Sequence, residues 1–283
     1  MKNKGILLIL MSAFCFALMN MFVKLSGDIP SIQKSFFRNL VAVFIAFGIL
    51  QRSGYGFQIE RKNIPLLLGR SVCGTIGIIA NFYAVDHLVL SDASIIQKLS
   101  PFFVIIFSFF LLKEKPSRLE ILSIVIAFVG TLFIVKPSFQ NTQMTAGMVA
   151  FIGAMGAGMA YTMVRMLSQR GVKSPQIVLY FSLFSCLFAL PFFILDFHPM
   201  SLQQIMFLLL AGLAASGGQF AVTSAYSHAA GKDISLYDYA QVVFAALLGF
   251  IVFQEIPDVW SLLGYLIIFG IALVMFVKKQ KSI

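Results

Sequence analysis

About ten apolar stretches, most of them near the roughly twenty residues a helix needs to cross a bilayer, occupy almost the whole of this chain. In the first half they run 5–25, 36–50, 64–85, 91–112 and 119–135. In the second half they run 145–167, 177–195, 202–226, 234–253 and 259–277. The connections are short, so little room is left for a soluble domain. At bilayer depth every backbone N–H and C=O must find its partner within the protein, and runs of this length do so as helices. A membrane β-barrel would need short segments of alternating polarity, and the sequence has none. The expected fold is all-α, a polytopic bundle of ten transmembrane helices.

The net charge of +10 would suit a nucleic-acid partner, but its distribution argues for membrane topology instead. Alternate loops, counted from the N-terminus, collect Lys2, Lys4, Arg52, Arg61, Lys62, Lys113, Lys115 and Arg118, then Arg165, Arg170, Lys173, Lys232, Lys278, Lys279 and Lys281. The other set holds only Lys24, Lys34, Arg38 and Lys136. This is the positive-inside bias, and it puts both termini in the cytoplasm of a multi-pass plasma-membrane protein. The expected surroundings are membrane lipid, with no nucleic acid. Residues 1–25 have the basic start of a signal peptide, but the run is too long and lacks a small-residue cleavage site, so they are read as the first span. Cys15, Cys73 and Cys186 are odd in number and fall within spans, where packing is their expected role.

A polar linker, 137–143, divides the spans five and five, giving units 1–137 and 144–283. A shift of 141 residues aligns Ser94 with Ser235, Phe103 with Phe244, Glu114 with Glu255 and Pro116 with Pro257. The paired Glu-x-Pro precedes the last span of each half, where a carboxylate and a proline both suit a helix N-terminus. Five is odd, so the second unit must enter the membrane inverted. Inverted repeats are a common plan of secondary transporters, with the binding site near the midplane.

Several motifs carry a resemblance. Phe36-Phe37-Arg38 opens the second span, Arg70 lies early in the third, and Ser100-Pro101-Phe102 falls in the fourth. Lys113-Glu114-Lys115-Pro116 follows that span, and Gln254-Glu255-Ile256-Pro257 stands in the second half. With the ten-span plan, they make the chain resemble the EamA-type branch of the drug/metabolite transporter superfamily over its entire length. The resemblance implies a ten-helix carrier whose central cavity is lined by spans one, three, four, six, eight and nine. Val242 departs from the pattern, because that family often repeats the proline of span four there, so no kink is expected in span nine.

Polar residues inside spans are costly and are functional candidates by default. The candidate substrate-binding and gating set is Asn20, Arg70, Asn81, Gln97, Lys98, Tyr161, Gln219, Asp238 and Gln241. Arg38, one turn inside its span, is expected to snorkel to the interface, and Lys24 and Arg165 to act as interface anchors. Gly74, Gly77 and the small residues of 214–218 read as close-packing positions. Depth estimates at about 1.5 Å per residue put Asn20, Asn81, Gln97 and Lys98 in the outer third, and Arg70, Tyr161, Gln219 and Asp238 in the inner third. Two clusters flanking a midplane site are therefore expected. On the same estimate Lys98 and Asp238 stand roughly 12–15 Å apart along the membrane normal, while Arg70 and Asp238 share a depth. The expected ion pair is Arg70–Asp238, an inner gate, with Asp238 alternatively carrying a coupling proton. Lys98 is then left to meet substrate or to guard the outer gate.

These features read as a secondary-active transporter of a small polar metabolite, an amino acid or a nucleoside- or cofactor-like solute, working by alternating access as a monomer or homodimer. No cofactor or metal is called for. A membrane-embedded enzyme is the alternative, but His87, His198 and His228 lie in or beside loops and no His-Glu-x-x-His or paired-acid motif occurs. A multidrug exporter is the other, but the first span lacks the carboxylate those small exporters use for cations. Arg70, Lys98 and Asp238 sum to positive, which favours an anionic or zwitterionic solute. Under this topology a cysteine introduced at Asn141 reacts with an impermeant thiol reagent from outside the cell; labelling only after permeabilisation would overturn the five-plus-five division.

Overall fold

The computed structural model describes residues 2–54, 56–113, 115–135, 143–228 and 235–281. Glu114, most of the 137–143 linker and the start of the ninth apolar run lie outside the described residues. Within them the protein is all-α. Its helices are α1 (Lys2–Leu25), α2 (Ser31–Ser53), α3 (Ile64–His87), α4 (Leu90–Gln97), α5 (Ser100–Leu112) and α6 (Arg118–Val135). The remainder are α7 (Gln143–Gln169), α8 (Ser174–Leu195), α9 (Leu202–His228), α10 (Ala240–Phe253) and α11 (Val259–Lys281). Seven segments are long and apolar enough to cross a membrane, and three shorter apolar helices, Ile121–Ile134, Tyr237–Phe253 and Val259–Met275, accompany them.

Polar residues that hydropathy assigns to a loop can belong to a helix when other helices cover them. The second helix starts at Ser31, ahead of the apolar run, because Gln33, Lys34 and Ser35 are buried by their neighbours. Its buried stripe is Lys34, Arg38, Ala42, Ala46 and Leu50, one residue in every four, the spacing of a single helix face. A left-handed Gly54 (φ 70) ends it, a conformation that costs glycine nothing.

The fourth apolar run is broken into α4 and α5. Pro101 has no N–H for the Gln97 carbonyl and its ring crowds that oxygen, so α4 stops at Gln97 and α5 restarts at Ser100 with proline in its first turn. A carbonyl freed by the break, that of Lys98, accepts the Tyr239 hydroxyl at 3.3 Å. The ninth run behaves differently. A 3-10 turn, Ser235–Tyr239, leads straight into α10, and no break occurs at Val242.

A repeat is visible in the backbone. Among the described residues, Lys113 (φ 56) and Gln254 (φ 57) are the two non-glycine residues with positive φ, and they close α5 and α10. They stand at equivalent positions under the shift that aligns the two halves. The helix pairing has the same symmetry. The most extensive contacts are α1 with α9, α3 with α7, α2 with α8 and α6 with α11, and α4 packs on α10. Exchanging the halves turns the α1–α9 pair into α7–α3 and maps the other three onto themselves. Every one of these pairs joins the first half to the second, so the halves are interleaved.

The α3–α7 seam depends on missing side chains. A Cβ on Gly156 would stand 2.9 Å from the Cys73 carbonyl, and one on Gly77 would stand 3.2 Å from the Gly153 carbonyl. Small residues let membrane helices approach backbone to backbone in this way. Gly156→Ala is therefore expected to destabilise by about 1–3 kcal/mol, as overpacking does. Gly48→Ala, on α2 with nothing within 4 Å of the new methyl, should be neutral or stabilising by up to about 1 kcal/mol. Thermal unfolding of the purified variants in detergent ranks them; equal midpoints would mean the seam is loose.

Candidate functional site

The end of the bundle at which α1 begins is the near face, and the opposite end is the far face. Two ionic ties hold the far face. Lys24, at the end of α1, pairs with Glu255 just beyond α10 and donates to the Leu88 carbonyl at 2.7 Å. The other Glu255 oxygen accepts the Leu90 N–H at 2.9 Å, capping one of the unsatisfied donors at the start of α4. Lys34, fully buried, binds Asp86 at 2.6 Å and the Val23 carbonyl at 3.2 Å, joining α2, α3 and α1. Lys24 was expected to anchor at the interface. It instead ties the two halves together, through a carboxylate 231 residues away in sequence.

Nearer the middle, Lys98 and Asp238 form an ion pair of 2.6 Å, with side-chain exposures of 8% and 27%. This overturns the expected Arg70–Asp238 gate. The depth estimate treated both spans as continuous helices along the membrane normal. The fourth is broken beside Lys98, Asp238 sits in the 3-10 turn before α10, and a lysine side chain adds several ångströms of reach. The pair lies between near-equivalent positions of the repeat, since Asp238 answers to Gln97 and Tyr239 to Lys98. Gln97 is half-buried next to the break, and Gln241 is buried in the first turn of α10.

A small, partly open cavity between α2, α3, α8 and α9 is lined by Arg38, Ala42, Arg70, Val178, Phe181, Ala215, Ser216, Gln219 and Phe220. The Arg70 guanidinium carbon lies 3.7 Å from the centre of the Phe181 ring, and that of Arg38 lies 5.9 Å from it. Cation–π attraction of this kind is worth about 2 kcal/mol when desolvated. Arg38 also donates to Asn39 Oδ1 at 2.7 Å. The Nε of each arginine is buried without a partner. Arg38 thus turns inward and does not snorkel. The missed signal was the helix face it shares with Ala42 and Ala46, small residues that mark the packed side of α2. Ser216, Phe181 and Phe220 were missed too, being ordinary residues of a membrane span by type.

Tyr161 on α7 is within electrostatic range of Arg70, Arg38 and Asp238. Asn20 and Asn81 meet each other instead, Asn81 Nδ2 donating to Asn20 Oδ1 at 3.2 Å. Seven of the nine candidates therefore fall into three groups, Arg70 with Gln219 and Tyr161, Lys98 with Asp238, and Asn20 with Asn81. They do not form two separate layers, because the Lys98–Asp238 pair crosses between the depths assigned to them. Among the described residues no group of three His, Cys, Asp or Glu side chains is placed to hold a metal ion.

The EamA-like transporter family matches this chain twice, over residues 3–136 and 144–277. The chain belongs to that family. It is a multi-pass membrane transporter of the drug/metabolite superfamily. The pseudopaline exporter CntI of Pseudomonas aeruginosa is 32% identical over 94% of this chain and 93% of its own length. Human solute carrier family 35 member G1 is 26% identical over 93% of this chain and 76% of its own. A solved crystal structure with 14% identity covers 99% of both chains at a TM-score of 0.68, a likeness of fold alone.

For this EamA protein the ion pair gives a direct test. Removing one partner of a fully buried pair costs about 3–5 kcal/mol, and partial exposure of Asp238 lowers that. Lys98→Met and Asp238→Asn should each lower the thermal midpoint, and the swap Lys98→Asp with Asp238→Lys should recover part of the loss. Additive losses in a double-mutant cycle would mean the two charges do not interact.

Proposed function

We propose that this transporter is a secondary carrier of a small polar metabolite, working by alternating access between two inverted five-helix repeats, 1–137 and 144–283. The observation that carries the reading is the asymmetry of the ties. Lys24–Glu255 joins the halves at the far face, while the cavity and its arginines lie between α2, α3, α8 and α9. A site closed on one side by a bond that a rocking motion can break is what alternating access requires. The repeat-related caps at Lys113 and Gln254, and the self-symmetric helix pairing, support the inverted halves.

The loop charge bias supports a cytoplasmic near face and a plasma-membrane location. Outward movement is favoured, since the relative from Pseudomonas aeruginosa is named an exporter. Cargo would then enter the cavity from the near face and leave when Lys24–Glu255 opens. In this conformation Asp238 is held in an ion pair with Lys98. The enzyme and multidrug readings have no comparable observation behind them.

Reconstitution tests this. Liposomes containing the protein should show saturable, protein-dependent flux of at least one member of a small-metabolite panel. Non-saturating flux would indicate a channel, and none a scaffold. In a background lacking Cys15, Cys73 and Cys186, Lys24→Cys with Glu255→Cys joined by a short thiol-cleavable bis-thiosulfonate should arrest that flux, and reductant should restore it. Undiminished flux through the crosslinked protein would rule out opening at the far face.

A further inference from the structure

We infer that Arg38 and Arg70 form an oxyanion site and together hold a carboxylate of the transported solute. This rests on the carrier reading and names the chemical class of its cargo. The first ground is charge. Both arginines are more than nine-tenths buried, both line the cavity, and the Nε of each lacks a partner. A guanidinium does not shed its proton in proteins, so these are two standing positive charges in a span. Among the described residues neither makes a salt bridge, and four acids within or beside the spans are taken elsewhere. Asp238 is held by Lys98, Asp86 by Lys34, Glu255 by Lys24, and Asp92 accepts the Tyr265 hydroxyl at 2.6 Å.

Two like charges set against one ring repel each other, and removal from water strengthens that repulsion. A structure that keeps both is built for a negative charge it does not supply. The second ground is that the placement is prepared. Gly74 leaves the space Arg70 occupies, since a Cβ there would stand 2.2 Å from Arg70 Nη1 and 2.9 Å from the Phe181 ring. Arg70 sits over the Phe181 ring, and a guanidinium held on a ring face keeps its N–H edge for an acceptor. Paired N–H donors in one plane match the two oxygens of a carboxylate. Gln219 and Ser216 of α9 also line the cavity.

The test uses purified full-length protein in nanodiscs, with thermal midpoint as readout. Probes are a panel of small mono-, di- and tricarboxylates, each beside its neutral amide or ester, with inorganic phosphate as a separate arm. At least one carboxylate should raise the midpoint saturably while its neutral counterpart does not. Arg38→Gln and Arg70→Gln should each weaken that apparent affinity by about tenfold or more, the scale of a lost charge-assisted hydrogen bond. Arg70→Lys keeps the charge but loses the fork, and should weaken it less. Gly74→Ala should weaken it without touching either charge. Protection by phosphate and by no carboxylate would overturn the carboxylate assignment. No protection by any anion, or equal protection by neutral counterparts with the glutamine variants unchanged, would overturn the site. If either glutamine variant fails to fold, the Arg70→Lys and Gly74→Ala comparison decides. Saturable flux of a neutral solute, unaltered by these substitutions, would remove the anion site and leave the carrier intact; absence of any saturable flux would remove the carrier itself.

Discussion

A charge held at bilayer depth must meet an opposite charge, water or a ligand, and that requirement organises this molecule. Lys24, Lys34 and Lys98 each meet a carboxylate, and each bond joins different spans or the segments flanking them. Two of the three, Lys24–Glu255 and Lys98–Asp238, also join the first half of the sequence to the second. Apolar packing cannot supply that specificity in lipid, where the surrounding tails are as apolar as the helix faces. Close approach at small residues holds the α3–α7 seam, and ion pairs fix how the halves meet. Only Arg38 and Arg70, of the buried cations described here, have no carboxylate from the protein itself.

On the proposed carrier reading, the same requirement lets a stable bundle also move. Pro101 breaks the fourth span beside Lys98, and the ninth begins with a 3-10 turn beside Asp238, so the most central ion pair sits where both backbones are least regular. On the proposed reading, interleaving of the halves would make a small rotation of one against the other change both faces at once. On the proposed reading, the far-face tie is the part that breaks and the central pair is the pivot.

Much of the fold was legible from hydropathy alone, because the bilayer admits so few solutions. The runs at 5–25, 64–85, 177–195 and 202–226 each fall within a single helix. Where polar residues are covered by other helices, the reading erred. It began α2 too late at Gln33–Lys34–Ser35 and sent Arg38 to the interface when the Ala42–Ala46 face pointed inward. Pairing was the least legible feature. Residue counting gives depth along an ideal axis, but Lys98 and Asp238 meet through a helix break, a 3-10 turn and a long flexible side chain. Asp92, bound to Tyr265, drew no notice in the sequence because a lone acid near a span end looks like part of a loop.

Distance across the far face tests the central claim most directly. Spin labels at Asp28 and Ile256, both on exposed far-face loops, report the separation of the halves by pulsed electron resonance. The wild-type protein should give a short distance, and Lys24→Met with Glu255→Gln should shift the population to a longer one. A single unchanged short distance in both proteins would contradict an account in which that ion pair holds the far face closed.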